Sequence, residues 1–300
     1  MIYASGCNQG AIYVAFELSV LHRLKFKSVA LPVNCDPTVA VFLKRRGIAV
    51  STNDLTQADW YRSIAAVQND SDTLDESDID LILENAYEPK ANLLNPDLEE
   101  IFGPIDAIWF DNVRRNLERL NSNLKFALAA DLVFRVGQYV KSFDQDTKHL
   151  RRPLSRVFRD LNRRIEPPKL STVSAQAATL SPEEFIAQSQ GNLLFLRLNP
   201  LFAAGSSKPD WREIWLRGPE ARPASALCEK FTTRAGFFAY LARLLDRASH
   251  FDQWALSFLD DGFLTSTEIA EFLGRFRNVS AVYSKDFSEL TGHRAIIVTA

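Results

Sequence analysis

Four arginines in the middle of the chain have the spacing of a single helix face. Within 150–165 they follow one another at intervals of four, three and four residues, as Arg152, Arg156, Arg159 and Arg163. Such intervals place side chains along one side of an α-helix. Guanidinium groups in a row bind phosphate oxygens bidentately and can hold a nucleic-acid backbone in register. These arginines are therefore the candidate nucleic-acid-binding residues.

The distribution of charge along the chain offers a second interpretation of these arginines. Eleven acidic residues lie between Asp70 and Glu100, where Lys90 is the only basic residue. The segment 148–169 has eight basic residues and two acidic ones. A basic helix that pairs with an acidic segment of its own chain is an ordinary solvated surface. At this point nucleic-acid binding and internal pairing both stay open.

Composition and charge limit the class of protein. The 300 residues have a formal net charge of −2, so binding of nucleic acid would depend on a local basic patch. No apolar run has the length of a membrane span, the start of the chain lacks a signal-peptide pattern, and no zinc-binding spacing occurs. The absence of a G-x-S-x-G turn and of a P-loop argues against two common enzyme classes. We therefore expect a cytoplasmic protein without a membrane segment or a structural metal.

Short apolar runs separated by helical patterns predict the fold class. Several runs are continuously apolar, which is typical of strands that are buried on both faces of a sheet. Strand–helix–strand repetition at both ends of the chain favours a doubly wound α/β sheet. The predicted strands are 28–33, 47–52, 105–110, 192–199, 253–259, 279–284 and 294–299.

Helix-start and helix-stop signals lie between these runs. Asp36 can cap a helix whose first residue is Pro37, and Gly47 is suited to the end of that helix. The segment 167–191 is expected to be a linker followed by a short helix that starts at Ser181.

Three segments carry a distinctive order of strands, turns and helices. The first is 31–54, LPVNCDPTVAVFLKRRGIAVSTND, which has a strand, a turn, a helix and a second strand and ends in an acidic residue. The second is 192–202, NLLFLRLNPLF, an apolar strand followed by a polar residue, a proline and an aromatic residue. The third covers 250–276 and 279–300, with a strand, a helix and a terminal hairpin. In this order the chain resembles an adenine-specific DNA methyltransferase of the Dam type.

The resemblance implies an α/β fold with a Rossmann-like methyltransferase sheet and a helical insertion in the middle of the chain. In the family, a helical insertion of this kind recognises the target DNA. Residues 1–70 would form the first part of the α/β core, and residues 191–300 its second part. The insertion would be 71–190, mainly helical, first acidic and then basic.

The resemblance also implies a site for the cofactor S-adenosylmethionine after the first strand. Asp54 corresponds to the acidic residue that holds the ribose in the family, and Asn34 and Cys35 lie in the cofactor-binding turn. The family has glycines there, which let the backbone approach the cofactor and leave the helix N-terminus for its carboxylate. Here Cys35 and Asp36 add side chains and Pro37 removes a donor. We therefore expect a degenerate site, with S-adenosylmethionine as the cofactor only if the protein is active.

The catalytic residues that the resemblance implies are Asn199, Pro200 and Phe202. In the family, the polar residue and the proline carbonyl accept hydrogen bonds from the amine of a flipped-out adenine, and the aromatic ring stacks on that base. Leu201 stands where the family has a second proline. The catalytic motif is therefore also degenerate.

Three functions remain as hypotheses. The preferred one is a degenerate methyltransferase homologue that acts as a DNA-binding or partner subunit, beside an active methyltransferase or restriction subunit, in a modification or defence system. The first alternative is an active S-adenosylmethionine-dependent DNA adenine methyltransferase with divergent motifs. The second is an unrelated α/β binding protein that resembles the family only in its fold. Whether the protein is an enzyme stays open at this point.

Overall fold

A computed structural model describes residues 10–144, 146–165, 172–203, 210–217, 227, 231, 233–260 and 262–300. The chain forms two compact units. The first unit comprises Met1–Ser63, Ser171–Lys208 and Ala224–Ala300, and the second comprises Ile64–Leu170 and Pro209–Pro223.

The first unit is built on a mixed, mostly parallel sheet. Its strands are β1 (Ser28–Leu31), β2 (Ala49–Asn53), β3 (Ala175–Ala178), β4 (Leu193–Arg197), β5 (Gln253–Asp260), β6 (Ala281–Asp286) and β7 (Arg294–Thr299). They lie in the order β3-β2-β1-β4-β5-β7-β6. Strands β1 to β5 are parallel to one another, whereas β7 runs antiparallel to both β5 and β6. This arrangement is compatible with a Rossmann-like α/β fold.

The helices follow one another along both units. In chain order they are α1 (Gly10–Leu21), α2 (Thr38–Arg45), α3 (Gln57–Ser63), α4 (Glu76–Leu83), α5 (Asp97–Phe102), α6 (Pro104–Leu117), α7 (Asn123–Lys141), α8 (Leu154–Arg163), α9 (Pro182–Gln188), α10 (Asn199–Ala203), α11 (Trp211–Leu216), α12 (Arg234–Arg247), α13 (Ser266–Leu273) and α14 (Ser288–Thr291). A π-helical turn, Ile64–Gln68, follows α3, and a 3-10 turn, Lys148–Leu150, precedes α8. Helices α4 to α8 and α11 belong to the second unit.

Continuously apolar runs form the inner strands of the sheet. All five residues of β4 are buried, as expected for a strand that is covered on both faces. Leu241 and Leu244 of α12 belong to the same core cluster as Leu194 and Leu196 of β4. Six predicted strands are confirmed, near 28–33, 47–52, 192–199, 253–259, 279–284 and 294–299.

The order of the strands reverses between β1 and β4. From β1 the chain continues to β2 and β3 on one side, and it returns through α9 to β4 on the other side of β1. In open α/β sheets, ligands bind in the crevice outside the carboxyl ends of the strands at such a reversal. This edge of the first unit is therefore the first place to look for a functional site.

The strand predicted at 105–110 is wrong, because this run lies in α6. Pro104 occupies the first turn of that helix, where its missing N–H leaves no hydrogen bond unmade. Ile105 is 69% exposed, whereas Trp109 and Phe110 are fully buried. A run of six residues with five apolar side chains fits a buried strand and a buried helix equally well, so the run alone does not identify the element.

Strand β3 is an element that the sequence pattern does not predict, because it lies in the predicted linker 167–191. Its residues, AQAA, pair in parallel with β2 at the edge of the sheet. They have little of the β-branched and aromatic composition that marks a strand. The helix predicted from Ser181 is confirmed, since Ser181 and Glu184 form a capping box at the start of α9. Both β3 and α9 belong to the first unit, although they lie within 71–190.

Helix α11 packs into the second unit although it comes from the second half of the chain. Trp215 is fully buried and donates its indole N–H to the Phe110 carbonyl oxygen at 2.8 Å. The ring of Trp211 lies so close to α7 that a Cβ built on Gly137 would be 2.1 Å from it. Helix α7 therefore needs glycine at this position for α11 to pack against it.

We expect Gly137→Ala to destabilise the protein. The added methyl group would overlap the Trp211 ring, and overpacking of this kind costs roughly 1–3 kcal/mol. The free energy of unfolding from urea denaturation measures the effect. Gln138→Ala, at the exposed next position of the same helix, is the matched control and should change that free energy by less than about 0.5 kcal/mol. An equal loss in both variants would contradict the close contact.

Candidate functional site

The candidate cofactor and catalytic residues all lie at the carboxyl edge of the sheet in the first unit. Asn34 and Cys35 follow β1, and Asp54 follows β2. Asn199 and Pro200 begin α10, directly after β4. The structure therefore brings to one edge two sets of residues that are far apart in the sequence.

Asp54 is a fully buried carboxyl group with one unpaired oxygen. Its Oδ1 accepts a hydrogen bond from the Cys35 N–H at 3.0 Å, and its own N–H donates to the Ala178 carbonyl oxygen at 3.0 Å. Its Oδ2 is buried and has no hydrogen-bond partner among the described residues. A buried acceptor without a donor is costly for the ionised form of the group, so protonation should relieve that cost.

The surroundings of Asp54 favour its protonated form near neutral pH. Burial and, next in size, the Asp59 carboxylate raise the pKa of Asp54 from 3.8 to about 7. The nearby Ser63 hydroxyl, the Cys35 N–H and the Arg62 guanidinium lower this pKa in part. The net effect is a carboxyl group that changes charge in the physiological range.

The turn after β1 is filled by its own side chains. Cys35 has a φ of +55°, in the left-handed region that favours glycine, and its side chain is buried. The amide Nδ2 of Asn34 donates to the Ser63 hydroxyl at 2.9 Å. The carboxylate of Asp36 accepts from the Thr38 N–H at 2.8 Å. Helix α2 begins at Thr38 with Pro37 as its N-cap residue, one position later than predicted. These contacts stabilise the turn at the position where the resemblance has glycines.

A buried ion pair lies across the edge between β1 and β4. Arg197, the last residue of β4, is 8% exposed, and Glu17 of α1 is 4% exposed. The Nε and Nη2 of Arg197 donate to the two carboxylate oxygens of Glu17 at 3.0 and 2.6 Å. Its Nη1 donates to the Asn34 carbonyl oxygen, and the Ser257 hydroxyl of β5 donates to Glu17 at 3.0 Å. The pair thus links α1 to three strands or their following turns.

The guanidinium of Arg197 stays charged although it is buried. Burial alone would lower the pKa of Arg197, but the charge and hydrogen bonds of Glu17 outweigh burial and raise this pKa above its ordinary value. Removal of one member of a buried pair typically costs about 3–5 kcal/mol, because the other charge is left without compensation. The pair is therefore a fixed part of the fold.

Neither Arg197 nor Glu17 is among the candidate residues from the sequence. Each is the only charged residue of an apolar element, GAIYVAFELSVL for α1 and LLFLR for β4. Charged side chains enter such elements only when they are paired. This signal identifies each residue as unusual, although it does not identify the partner.

The candidate catalytic segment is folded into the start of α10. The Oδ1 of Asn199 accepts a hydrogen bond from the Leu259 N–H at 2.8 Å. Leu201 is buried, and its N–H donates to a backbone carbonyl oxygen at 3.1 Å, which a proline could not do. Pro200 is half-buried, and the side chain of Phe202 lies outside the described part of the structure. Asn199 therefore ties α10 to the end of β5.

Two of the four candidate arginines are paired within the second unit. Arg152 precedes α8, so the prediction of four arginines on one helix face is wrong for this residue. Its guanidinium pairs with Asp160 at 2.7 Å. Arg159 pairs with Asp80 at 2.7 Å and with Glu76 at 3.3 Å, both in the acidic segment. For Arg159 the second interpretation of the sequence, pairing with the acidic segment, is confirmed. Arg152 is paired with a carboxylate of its own basic segment.

The other two arginines have no ion-pair partner among the described residues. Arg156 and Arg163 are exposed on α8, and no described carboxylate forms an ion pair with either. The opposite side of the helix buries Leu154, Val157 and Phe158. Helix α8 is thus anchored by its apolar side and offers two arginines to solvent.

Comparisons with known proteins do not assign a family. No protein-family model matches the chain, and no curated protein matches it. Within the described ranges, no group of three or more His, Cys, Asp and Glu side chains could hold a metal ion. None of the helices in those ranges is both long and apolar enough to cross a membrane.

Protonation of Asp54 should make the stability of the protein depend on pH. The folded protein keeps this proton up to about pH 7, whereas the unfolded chain loses it near pH 4. The free energy of unfolding should therefore fall between about pH 4 and pH 7, by at most about 1.4 kcal/mol per pH unit from this group. Asp54→Asn should remove that contribution, as urea denaturation over this pH range would measure.

The matched control for this prediction is Asp246→Asn, at an exposed position of α12. It should leave the pH profile of the parent protein unchanged, because an exposed carboxylate stays in contact with water. If Asp54→Asn retained the full pH dependence of the parent, the assignment of that dependence to Asp54 would be wrong.

Proposed function

We propose that this protein is a non-catalytic homologue of Dam-type DNA adenine methyltransferases that acts as a DNA-binding or partner subunit of a modification or defence system. The order of segments supports a relationship to the family. So does the antiparallel β7 beside β5 and β6, which agrees with the terminal hairpin that the resemblance implies. The protein would thus retain the fold of the family and lack its methyl-transfer chemistry.

The observation that carries this proposal is the buried pair of Arg197 and Glu17. The guanidinium of Arg197 extends from the end of β4 to the Asn34 carbonyl after β1, across the reversal where open α/β sheets bind ligands. Two charged side chains that are almost fully buried fill this position. S-adenosylmethionine would have to displace an ion pair whose separate members cannot remain uncompensated.

Asp54 has one oxygen atom that could bind the cofactor, but this oxygen is not accessible to a ligand. Its unpaired Oδ2 is a suitable acceptor for a ribose hydroxyl. However, Asp54 is fully buried, and the N–H of Cys35, which a glycine turn would offer to a ligand, already donates to it. The residues after β1 and β2 therefore do not fit S-adenosylmethionine, and we infer no methyl transfer.

The catalytic segment supports the same proposal. In the family the polar residue of this motif accepts a hydrogen bond from the adenine amine, but the Oδ1 of Asn199 accepts from the Leu259 N–H. Leu201, at the position of the second proline, contributes its side chain to the core. Both features stabilise the connection between β4 and α10 in place of a base-binding loop.

Arg156 and Arg163 support DNA as the partner. Both guanidinium groups are exposed and have no carboxylate partner in the described part of the chain, so they are available for phosphate oxygens. The pairing of Arg152 and Arg159 with carboxylates favours a second candidate function, an α/β protein that binds no nucleic acid. Direct measurement of DNA binding distinguishes the two.

We expect no binding of S-adenosylmethionine to the purified protein, even at millimolar concentration of the cofactor. The reason is the ion pair between Arg197 and Glu17, which occupies the crevice. Isothermal titration calorimetry measures this directly. Binding at micromolar concentration would overturn the non-catalytic proposal and favour the active methyltransferase, which would then be assayed on DNA that contains adenine.

We expect the double variant Arg156→Glu and Arg163→Glu to weaken binding of duplex DNA and to flatten its dependence on salt. Each lost phosphate contact should reduce the slope of log K against log salt by about 0.9. Fluorescence anisotropy at several salt concentrations measures both quantities.

The matched control reverses the same number of charges in the first unit, with Arg45→Glu and Arg275→Glu, two exposed positions. This control variant should retain the parent affinity for DNA and the parent salt slope. Equal losses in both double variants would indicate a general charge effect. No measurable DNA binding by the parent protein would favour the second candidate function.

A further inference from the structure

Every nitrogen of the Arg197 guanidinium has an acceptor within the first unit. Two of the nitrogens donate to the two oxygens of Glu17, and the third donates to the Asn34 carbonyl oxygen. The guanidinium carbon lies 5.6 Å from the centre of the Phe195 ring. The guanidinium is planar and carries its N–H donors in a fixed arrangement. This arrangement matches the carboxylate of Glu17 on one side and the carbonyl of Asn34 on another.

The acceptors of this guanidinium are themselves held in place. The Ser257 hydroxyl donates to Glu17 at 3.0 Å. Asn34 is held from both sides, since its backbone N–H donates to Asn53 at 2.9 Å and its side-chain amide donates to Ser63 at 2.9 Å. These hydrogen bonds do not involve Arg197, so they should still orient the acceptors in folded molecules that lack its side chain, although the uncompensated charge of Glu17 destabilises such a variant. A preorganised set of acceptors is the main requirement of a binding site.

We propose that Glu17, Asn34 and Ser257 form a guanidinium-binding site at the carboxyl edge of the sheet, which the chain fills with its own Arg197. Arg197 then acts as an internal ligand of the crevice. Without the Arg197 side chain, the site binds a free alkylguanidinium cation. This inference concerns the same crevice as the proposed function, but it stands whether or not the protein binds DNA.

The geometry of the site favours a guanidinium over an ammonium cation. An ammonium group is a compact donor that cannot span both oxygens of Glu17 and the Asn34 carbonyl at once. A free alkylguanidinium can reproduce all three contacts. Arg197→Lys should therefore keep the charge but lose most of the stabilisation, and methylamine should not replace methylguanidinium.

The test is chemical rescue of Arg197→Ala. We expect this variant to have a lower Tm than the parent protein, and methylguanidinium chloride to raise that Tm with a saturable dependence in the millimolar range. Sodium chloride at the same ionic strength and methylamine at the same concentration should not raise it. No response to methylguanidinium, or an equal response to sodium chloride, would overturn the proposal.

Two further variants separate a specific site from a general effect of the cation. Arg114→Ala removes another arginine with 8% exposure, whose carboxylate partner Glu118 has a side chain that is 64% exposed; methylguanidinium should not rescue it. Arg197→Ala combined with Glu17→Gln should also lose the rescue, because the carboxylate is gone. Rescue of either variant to the same extent as Arg197→Ala would contradict the site.

A variant that does not fold still tests the proposal. If Arg197→Ala is insoluble, its recovery on refolding from urea is compared with and without millimolar methylguanidinium. Recovery that increases only with methylguanidinium supports the site, and recovery that is equal in sodium chloride overturns it. Calorimetry with S-adenosylmethionine on the parent protein is a separate measurement, so failure of the rescue and failure of the non-catalytic proposal are distinguishable.

Discussion

An arginine and a glutamate that are both withdrawn from water constrain the carboxyl edge of the sheet. Neither Arg197 nor Glu17 can be buried alone, because the desolvation of an isolated charge exceeds what packing returns. Two nitrogens of the Arg197 guanidinium donate to the two carboxylate oxygens of Glu17. The third nitrogen requires a further acceptor, which is the Asn34 carbonyl oxygen. The turn after β1 and the side of α1 that carries Glu17 together meet that requirement. It also agrees with the register of β4 and β5, in which Arg197 lies beside Ser257.

The turn after β1 is constrained from its other side by Asp54. The carbonyl of Asn34 accepts from Arg197, and the N–H of Cys35 donates to Asp54, whereas a glycine turn would leave such groups for a ligand. Cys35 adopts a left-handed conformation that costs a non-glycine residue roughly 1–2 kcal/mol, and the hydrogen bonds around it offset that cost. Most polar groups of this edge therefore pair with one another, whereas the Asp54 Oδ2 and the Asn34 Oδ1 are buried without a hydrogen-bond partner among the described residues.

These features are predictable from the sequence when the residues that cause them are neighbours in the chain. The apolar runs of β4 and β5 are local, and the structure contains them as predicted. Strand β3 is stabilised by pairing with β2 and not by its own composition. The run 105–110 fits a buried strand as well as a buried helix. Neither element is therefore predictable from its own residues. Asn34, Cys35 and Asp54 were predictable as one group from the order of segments. The residues of the ion pair are 180 positions apart. Each stands out in the sequence as the lone charge of an apolar element, but the sequence does not show that they pair.

The arginines of α8 show the same limit at the surface. Arg156 and Arg159 are separated by one turn of a helix, and their spacing predicts the same role for both. Their difference comes from α4, which brings Glu76 and Asp80 to Arg159 only. In both units the partner of a guanidinium, and not its place in a motif, decides whether it serves the fold or is available to a ligand. The proposed function rests on the same principle: a fold can be kept while changed side-chain partners remove the chemistry of a site.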